Sequence, residues 1–150
     1  MRVEQVLKVS SEEFFSFIKR GLISDLKQNN VIDENIENYE IKKGLQYEKI
    51  LKSYNPKRNK KMVVTIENFE ENKAYKVKFE SDDVIYFISF DIEEVEKGIN
   101  VSYSEEFEVI KKRPLISRIL FPRSQKKNKK LHLINNLKVI ESEIINLRNK

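Results

Sequence analysis

The chain has 150 residues, no cysteine and a formal net charge of +5, which suits one domain able to bury a real core. The missing cysteines exclude disulfides and thiol chemistry. The N-terminus has no uninterrupted apolar core of a signal peptide, and the most apolar stretch, Val84 to Ile92, is too short to cross a bilayer as a helix, so a cytoplasmic setting is expected.

Val3 to Val9 alternates loosely and reads as a first strand. Ser10 then stands as an N-cap with Glu13 three residues on, a capping box, and Val9 and Phe14 occupy the staple positions around it. Phe14, Phe15, Ile18 and Leu22 mark the apolar face of a helix, which Gly21 is expected to end or kink; Leu22, Ile23 and Leu26 can add a second short turn. Lys27 to Asn38 is polar and reads as loop.

From Glu40 the apolar period becomes two. Strands are expected at Leu45–Tyr54, Lys61–Phe69, Lys73–Ser81, Val84–Ile92 and Ile99–Val109, with turns at residues 55–59, 70–72, 81–83 and 97–98. Connections this short require antiparallel neighbours. Pro114 opens a helical end, and Leu115, Ile116, Ile119 and Leu120 make a short apolar helix that Pro122 interrupts. Ser124 can cap a final helix over residues 124–148, where Leu133, Leu137, Ile140, Ile144 and Leu147 form a stripe at steps of 4, 3, 4 and 3. The predicted class is α+β: one domain, residues 1–150, with a curved antiparallel sheet wrapped around a long C-terminal helix.

The positive excess sits at one joint. Lys111, Lys112, Arg113, Arg118, Arg123, Lys126, Lys127, Lys129 and Lys130 fall within twenty residues that hold no acid, while the rest of the chain carries 20 basic against 24 acidic residues. Interleaved with Leu115, Ile116, Ile119, Leu120 and Phe121, these cations read first as a solvated loop whose apolar residues cover the core edge; the alternatives are an anionic membrane surface and, after it, nucleic acid. Lysine outnumbers arginine 22 to 7 and Ile and Asn are abundant, a usage that points to AT-rich bacterial codons.

The order of elements, with Val9-Ser-Ser-Glu-Glu-Phe-Phe15, Gly44-Leu-Gln-Tyr-Glu-Lys49, Tyr75-Lys-Val-Lys-Phe-Glu-Ser81 and Val101-Ser-Tyr-Ser-Glu105, resembles the START/Bet v1-like, or helix-grip (SRPBCC), superfamily. Within it the chain looks like a family of small uncharacterised Firmicute proteins of unknown function. The resemblance implies a sheet closed on the long helix with a pocket between them. It carries over no catalytic residue, and no cofactor is implied.

The residues themselves offer little catalytic chemistry. Gly21, Gly44 and Gly98 are the only glycines and are scattered, so no Gly-rich phosphate loop exists. His132 is the only histidine and reads as a surface residue of the last helix. Glu105 is the anomaly, because it shares strand parity with Val101, Tyr103, Phe107 and Val109 and so points at the core. A buried carboxylate must be paired, hydrogen-bonded or protonated. Lys49 has the inward parity of Leu45, Tyr47 and Leu51 and can serve as its partner if those strands approach. Tyr47, Tyr75, Tyr86 and Tyr103 share the inner faces, where their hydroxyls can orient a ligand or serve Glu105. The alternative is a solvated Glu105 at a strand end or bulge, with the tyrosines as ordinary core. The expected function is a binding module for a small apolar or amphipathic ligand in a cavity lined by Tyr47, Lys49, Tyr75, Tyr86, Tyr103 and Glu105. The runner-up is an interaction module that uses the basic segment 111–130.

Overall fold

The computed structural model describes residues 1–51, 57, 59–109 and 126–149. Strand β1 (Arg2–Leu7) leads into helix α1 (Ser11–Gln28). Then follow β2 (Gln46–Leu51), β3 (Lys60–Glu70), β4 (Ala74–Glu80), β5 (Val84–Val95), β6 (Gly98–Val109) and helix α2 (Lys126–Arg148). The six strands form one antiparallel sheet in the order β1-β6-β5-β4-β3-β2. The short links therefore join neighbours, and only β1 pairs far from its place in sequence. The short helix expected after Pro114, the Ser124 cap and most of the turn at 55–59 lie outside the described residues.

Local chemistry sets each boundary. Ser10 Oγ accepts from the Glu13 backbone N–H at 3.1 Å and the Glu13 carboxylate accepts from the Ser10 N–H at 3.0 Å, which closes the capping box. Asn72, in left-handed conformation at φ 65°, turns β3 into β4. A register shift between Ile66 and Asn68 leaves Glu67 as a bulge, a device that bends a strand and raises its twist. Gly98, at φ 150°, starts β6 where a Cβ would lie 2.1 Å from the Leu7 carbonyl oxygen, so the end of β1 rests on a position open only to glycine.

Helix α1 departs from the sequence expectation. It runs unbroken through Gly21 for 18 residues and reaches Gln28, two residues into the expected loop. The physical reason is burial. Phe14, Phe15 and Leu26 lie on both sides of Gly21 at 0–1% exposure, each contributing about 1.5–3 kcal/mol, against the roughly 1 kcal/mol that a mid-helix glycine costs. Gly21 itself is exposed, with nothing within 4 Å of an added Cβ. Gly21→Ala should therefore stabilise the protein by about 0.5–1 kcal/mol, read as a higher midpoint in urea. A lower midpoint would mean that the helix needs this break.

The core lies between the inner face of the sheet and the two helices. Leu133 and Leu137 of α2 are fully enclosed and Ile144 is 3% exposed, in one cluster with Val3, Leu7, Phe14, Ile99 and Val101. Ile140 is half-buried and Leu147 is 41% exposed, so the predicted stripe loses its cover at the helix end. There a polar staple replaces it. Arg148 reaches both oxygens of Glu13 at 2.5 Å and donates to the Lys8 carbonyl at 3.3 Å, while Glu141 accepts from the Lys8 N–H at 2.7 Å. The Arg148 hydrogen bond, seconded by the Ser10 backbone N–H, pulls the Glu13 carboxyl down to about 2. The end of α2 is thereby tied to the N-cap of α1.

Candidate functional site

Strand register arranges the inner face in rows. One row runs Tyr47, Val64, Phe79, Tyr86, Phe107 across β2 to β6. The next runs Ile66, Val77, Ile88, Glu105. A third runs Phe69, Tyr75, Phe90, Tyr103, Val3 and is closed over by α1, with Phe14 edge-on to Phe90 at 5.6 Å and Phe15 edge-on to Phe69 at 5.8 Å. Its Tyr75 and Tyr103 are 6% exposed. Cover thins across the first row from β2 to β6, where Tyr47 and Val64 are buried, Phe79 and Tyr86 half-buried and Phe107 39% exposed. The inner face is thus shut at one end and more open at the other.

Two acidic groups flank this aromatic surface. On the β6 side Glu105 points inward, half-buried, and accepts from the Tyr103 hydroxyl at 2.6 Å, with the Tyr86 side chain close by. On the β2 side Asp25 of α1 accepts from the Tyr47 hydroxyl at 2.5 Å and from Lys49 Nζ at 2.9 Å. Lys49 is therefore the partner of Asp25 and not of Glu105, which corrects the sequence expectation. The reason is strand order: β2 and β6 are opposite ends of a five-strand run, about 19 Å apart along the sheet at 4.7–4.9 Å per strand. Asp25 escaped the sequence reading. It continues the helical stripe Ile18–Leu22–Asp25 at steps of 4 and 3, so an acid on an apolar face was the available signal.

Electrostatics follow from this geometry. Burial, then the hydrogen bond to Asp25, pushes the Tyr47 hydroxyl above the ordinary tyrosine range; burial, then the Asp25 charge, does the same for Tyr75. Burial first and the neighbouring Glu105 second raise Tyr86 and Tyr103. The hydroxyls stay protonated, and those of Tyr47 and Tyr103 donate to the two carboxylates. Among the described residues every buried side-chain polar atom has a partner, and no group of three or more His, Asp or Glu residues is placed to hold a metal. His132 is exposed on α2.

The basic segment is only partly described. Lys111, Lys112, Arg113, Arg118 and Arg123 lie outside the described residues, and Lys126 and Lys127 fall in the first turn of α2 with their side chains outside them. Lys130 is exposed, whereas Lys129 lies half-buried with its Nζ 4.3 Å from the centroid of the Phe107 ring. On the opposite face of the sheet a polar cleft of about 730 Å³ includes Arg2, Glu4, Asp91 and Ser102. Several of its groups are spent on one another, Ser102 accepting from Arg2 at 3.1 Å and donating to Glu4 at 3.0 Å.

Residues 1–122 match the family model described as a domain of unknown function, DUF3284. No protein of curated function is similar enough to match. Among solved structures, a Staphylococcus aureus protein of unknown function is similar at 13% identity and TM-score 0.63, over 99% of this chain and 94% of that one. The allergen Ara h 8.0201 is similar at 14% identity and TM-score 0.62, over 97% of each chain. A Thermus thermophilus protein is similar at 14% identity and TM-score 0.59, over 98% of this chain and 97% of that one. At these identities the likeness is one of fold, the Bet v1-like fold of a curved six-stranded antiparallel sheet with a C-terminal helix.

Proposed function

Since the chain belongs to the DUF3284 family of domains of unknown function, we propose that it is a binding module for a small apolar or amphipathic ligand held between the inner face of the sheet and α2. One observation carries the reading: the row Tyr47, Val64, Phe79, Tyr86, Phe107 gains exposure toward one end and is flanked by two carboxyl groups that tyrosine hydroxyls hold in place. A concave apolar surface with a few fixed polar groups is the usual make-up of a ligand site. Tyr47, Tyr75, Tyr86, Tyr103 and Glu105 would line and orient, while Lys49 and Asp25 would set the polarity of the far wall. A cytoplasmic setting belongs to the same reading; no helix among the described residues is long and apolar enough to cross a membrane. Native mass spectrometry of freshly purified protein should show an added apolar mass that denaturation releases, and the emptied protein should brighten the uncharged dye Nile red. Bare mass together with no dye response would end the proposal.

A second reading rests on charge alone: nine cations without an acid in residues 111–130. At low salt the protein should then be retained on anionic liposomes, and less so at physiological salt, where the Debye length is about 8 Å. Replacing Lys126, Lys127, Lys129 and Lys130 with Gln should lower that retention. Retention that also needs Leu120 and Phe121 favours membrane over nucleic acid; none at low salt leaves the segment a solvated surface.

A further inference from the structure

The two carboxyl groups of the inner face differ in one respect. Asp25 faces an ammonium, Lys49 Nζ at 2.9 Å. Glu105 faces neutral hydroxyls, and among the described residues no lysine or arginine pairs with it. The N-terminal ammonium bonds the Glu105 main-chain carbonyl at 2.7 Å, not its side chain. Around Glu105 the rings crowd together: Tyr86 lies 4.4 Å from Phe107 and 5.9 Å from Phe79, and Phe90 stacks on Tyr103 at 4.7 Å. Aromatic faces are electron-rich, and beside an acidic acceptor they make a setting for a cation. The chain already seats one there, because the Lys129 ammonium rests over Phe107. The place is also reachable, since Glu105 and Tyr86 are half-buried and Phe107 is more exposed still.

We propose that the interior selects cationic amphiphiles, an ammonium head group lying between Glu105 and the ring faces of Tyr86 and Phe107 and an apolar tail running inward over Ile88 and Val77. This rests on the reading of the inner face as a ligand surface, and it adds the sign of the ligand's charge. The sign is opposite to what the net charge of +5 would attract at long range, so only local chemistry produces it. Lys129 holds the outer ring until the ligand's ammonium takes it. An anionic head group would meet the acid of Glu105 instead.

Three probes with one tail decide the matter: decyltrimethylammonium, decanoate and decanol, each titrated below micelle formation at pH 7 against protein carrying Nile red. The cation should displace half of the dye at a concentration at least tenfold lower than decanoate. Glu105→Gln should bring that ratio under threefold. The comparison on the unaltered protein stands even if Glu105→Gln, which replaces the charged acceptor of the Tyr103 hydroxyl by a neutral amide, folds poorly. Equal displacement by all three, or preference for decanoate, overturns the ammonium site while interior binding survives. A preference for the cation that persists unchanged in folded Glu105→Gln also overturns it. If neither Nile red nor any probe binds, the ligand surface itself fails and takes the proposal with it.

Discussion

Leu137→Ala should lower the stability of the protein by about 2–5 kcal/mol, with loss of the cooperative thermal transition at the upper end of that range. Leu137 is fully enclosed, one helical turn from Leu133, also at 0% exposure, and both belong to the cluster that includes Val3, Leu7 and Val101. Truncation removes the transfer energy of the lost atoms and leaves a cavity between helix and sheet that rigid strands close only in part. Val139→Ala, two residues on, is the control, since Val139 is 55% exposed; it should cost less than about 0.5 kcal/mol. Chemical denaturation gives both numbers. A loss under 1 kcal/mol at Leu137 would show that α2 does not hold the sheet.

Alkali should unfold the protein steeply. Tyr47, Tyr75, Tyr86 and Tyr103 all have hydroxyl pKa values raised in the folded state, chiefly by burial. Their unfolded values lie near 10. A raised folded value means stability that is fully present below pH 10 and lost as pH climbs, because only the unfolded chain sheds these protons. Each tyrosine contributes a slope of at most about 1.4 kcal/mol per pH unit, so the four reach at most about 5.5. Against a typical domain stability of about 5–15 kcal/mol, the transition belongs roughly one to three units above pH 10. Tyrosinate absorbance from the four should appear together with the loss of circular dichroism. Tyr103→Phe should make the slope shallower by about one tyrosine's share. Ionisation of all four near pH 10 with the fold intact would show that their hydroxyls are not held.

Much of this was legible in the chain, for identifiable reasons. The change of apolar period at Glu40 and the capping box at Ser10 and Glu13 are local signals, and local chemistry decided those boundaries. Alternation alone turns Glu105 and the tyrosines inward, because a strand has only two faces. Gly21 misled, since a breaker read by itself says nothing of Phe14 and Phe15 before it and Leu26 after it, whose burial holds the helix on both sides. The pairing of Lys49 escaped for another reason. Parity tells which way a side chain faces, but the partner across a curved sheet depends on strand order and on where α1 crosses it. Asp25 could have been singled out as an acid within an apolar stripe, though no spacing rule joins it to Tyr47, 22 residues away.

Strand β1 pairs with β6, Val3 opposite Tyr103, and α2 packs on β1. On the ribosome this fixes an order of events. The first strand and the helix after it emerge at once, but their partner in β6 lies 100 residues later, about 5–20 s at ordinary rates of synthesis. Throughout that interval Val3, Leu7, Phe14 and Phe15 have no sheet to cover them, while the hairpins from β2 to β6 can form as each emerges. The meander is therefore the part able to fold during translation. Its two outer clasps, β1 and α2, close only once β6 and α2 have emerged, and the segment from β1 to α1 is where a holding chaperone would be needed.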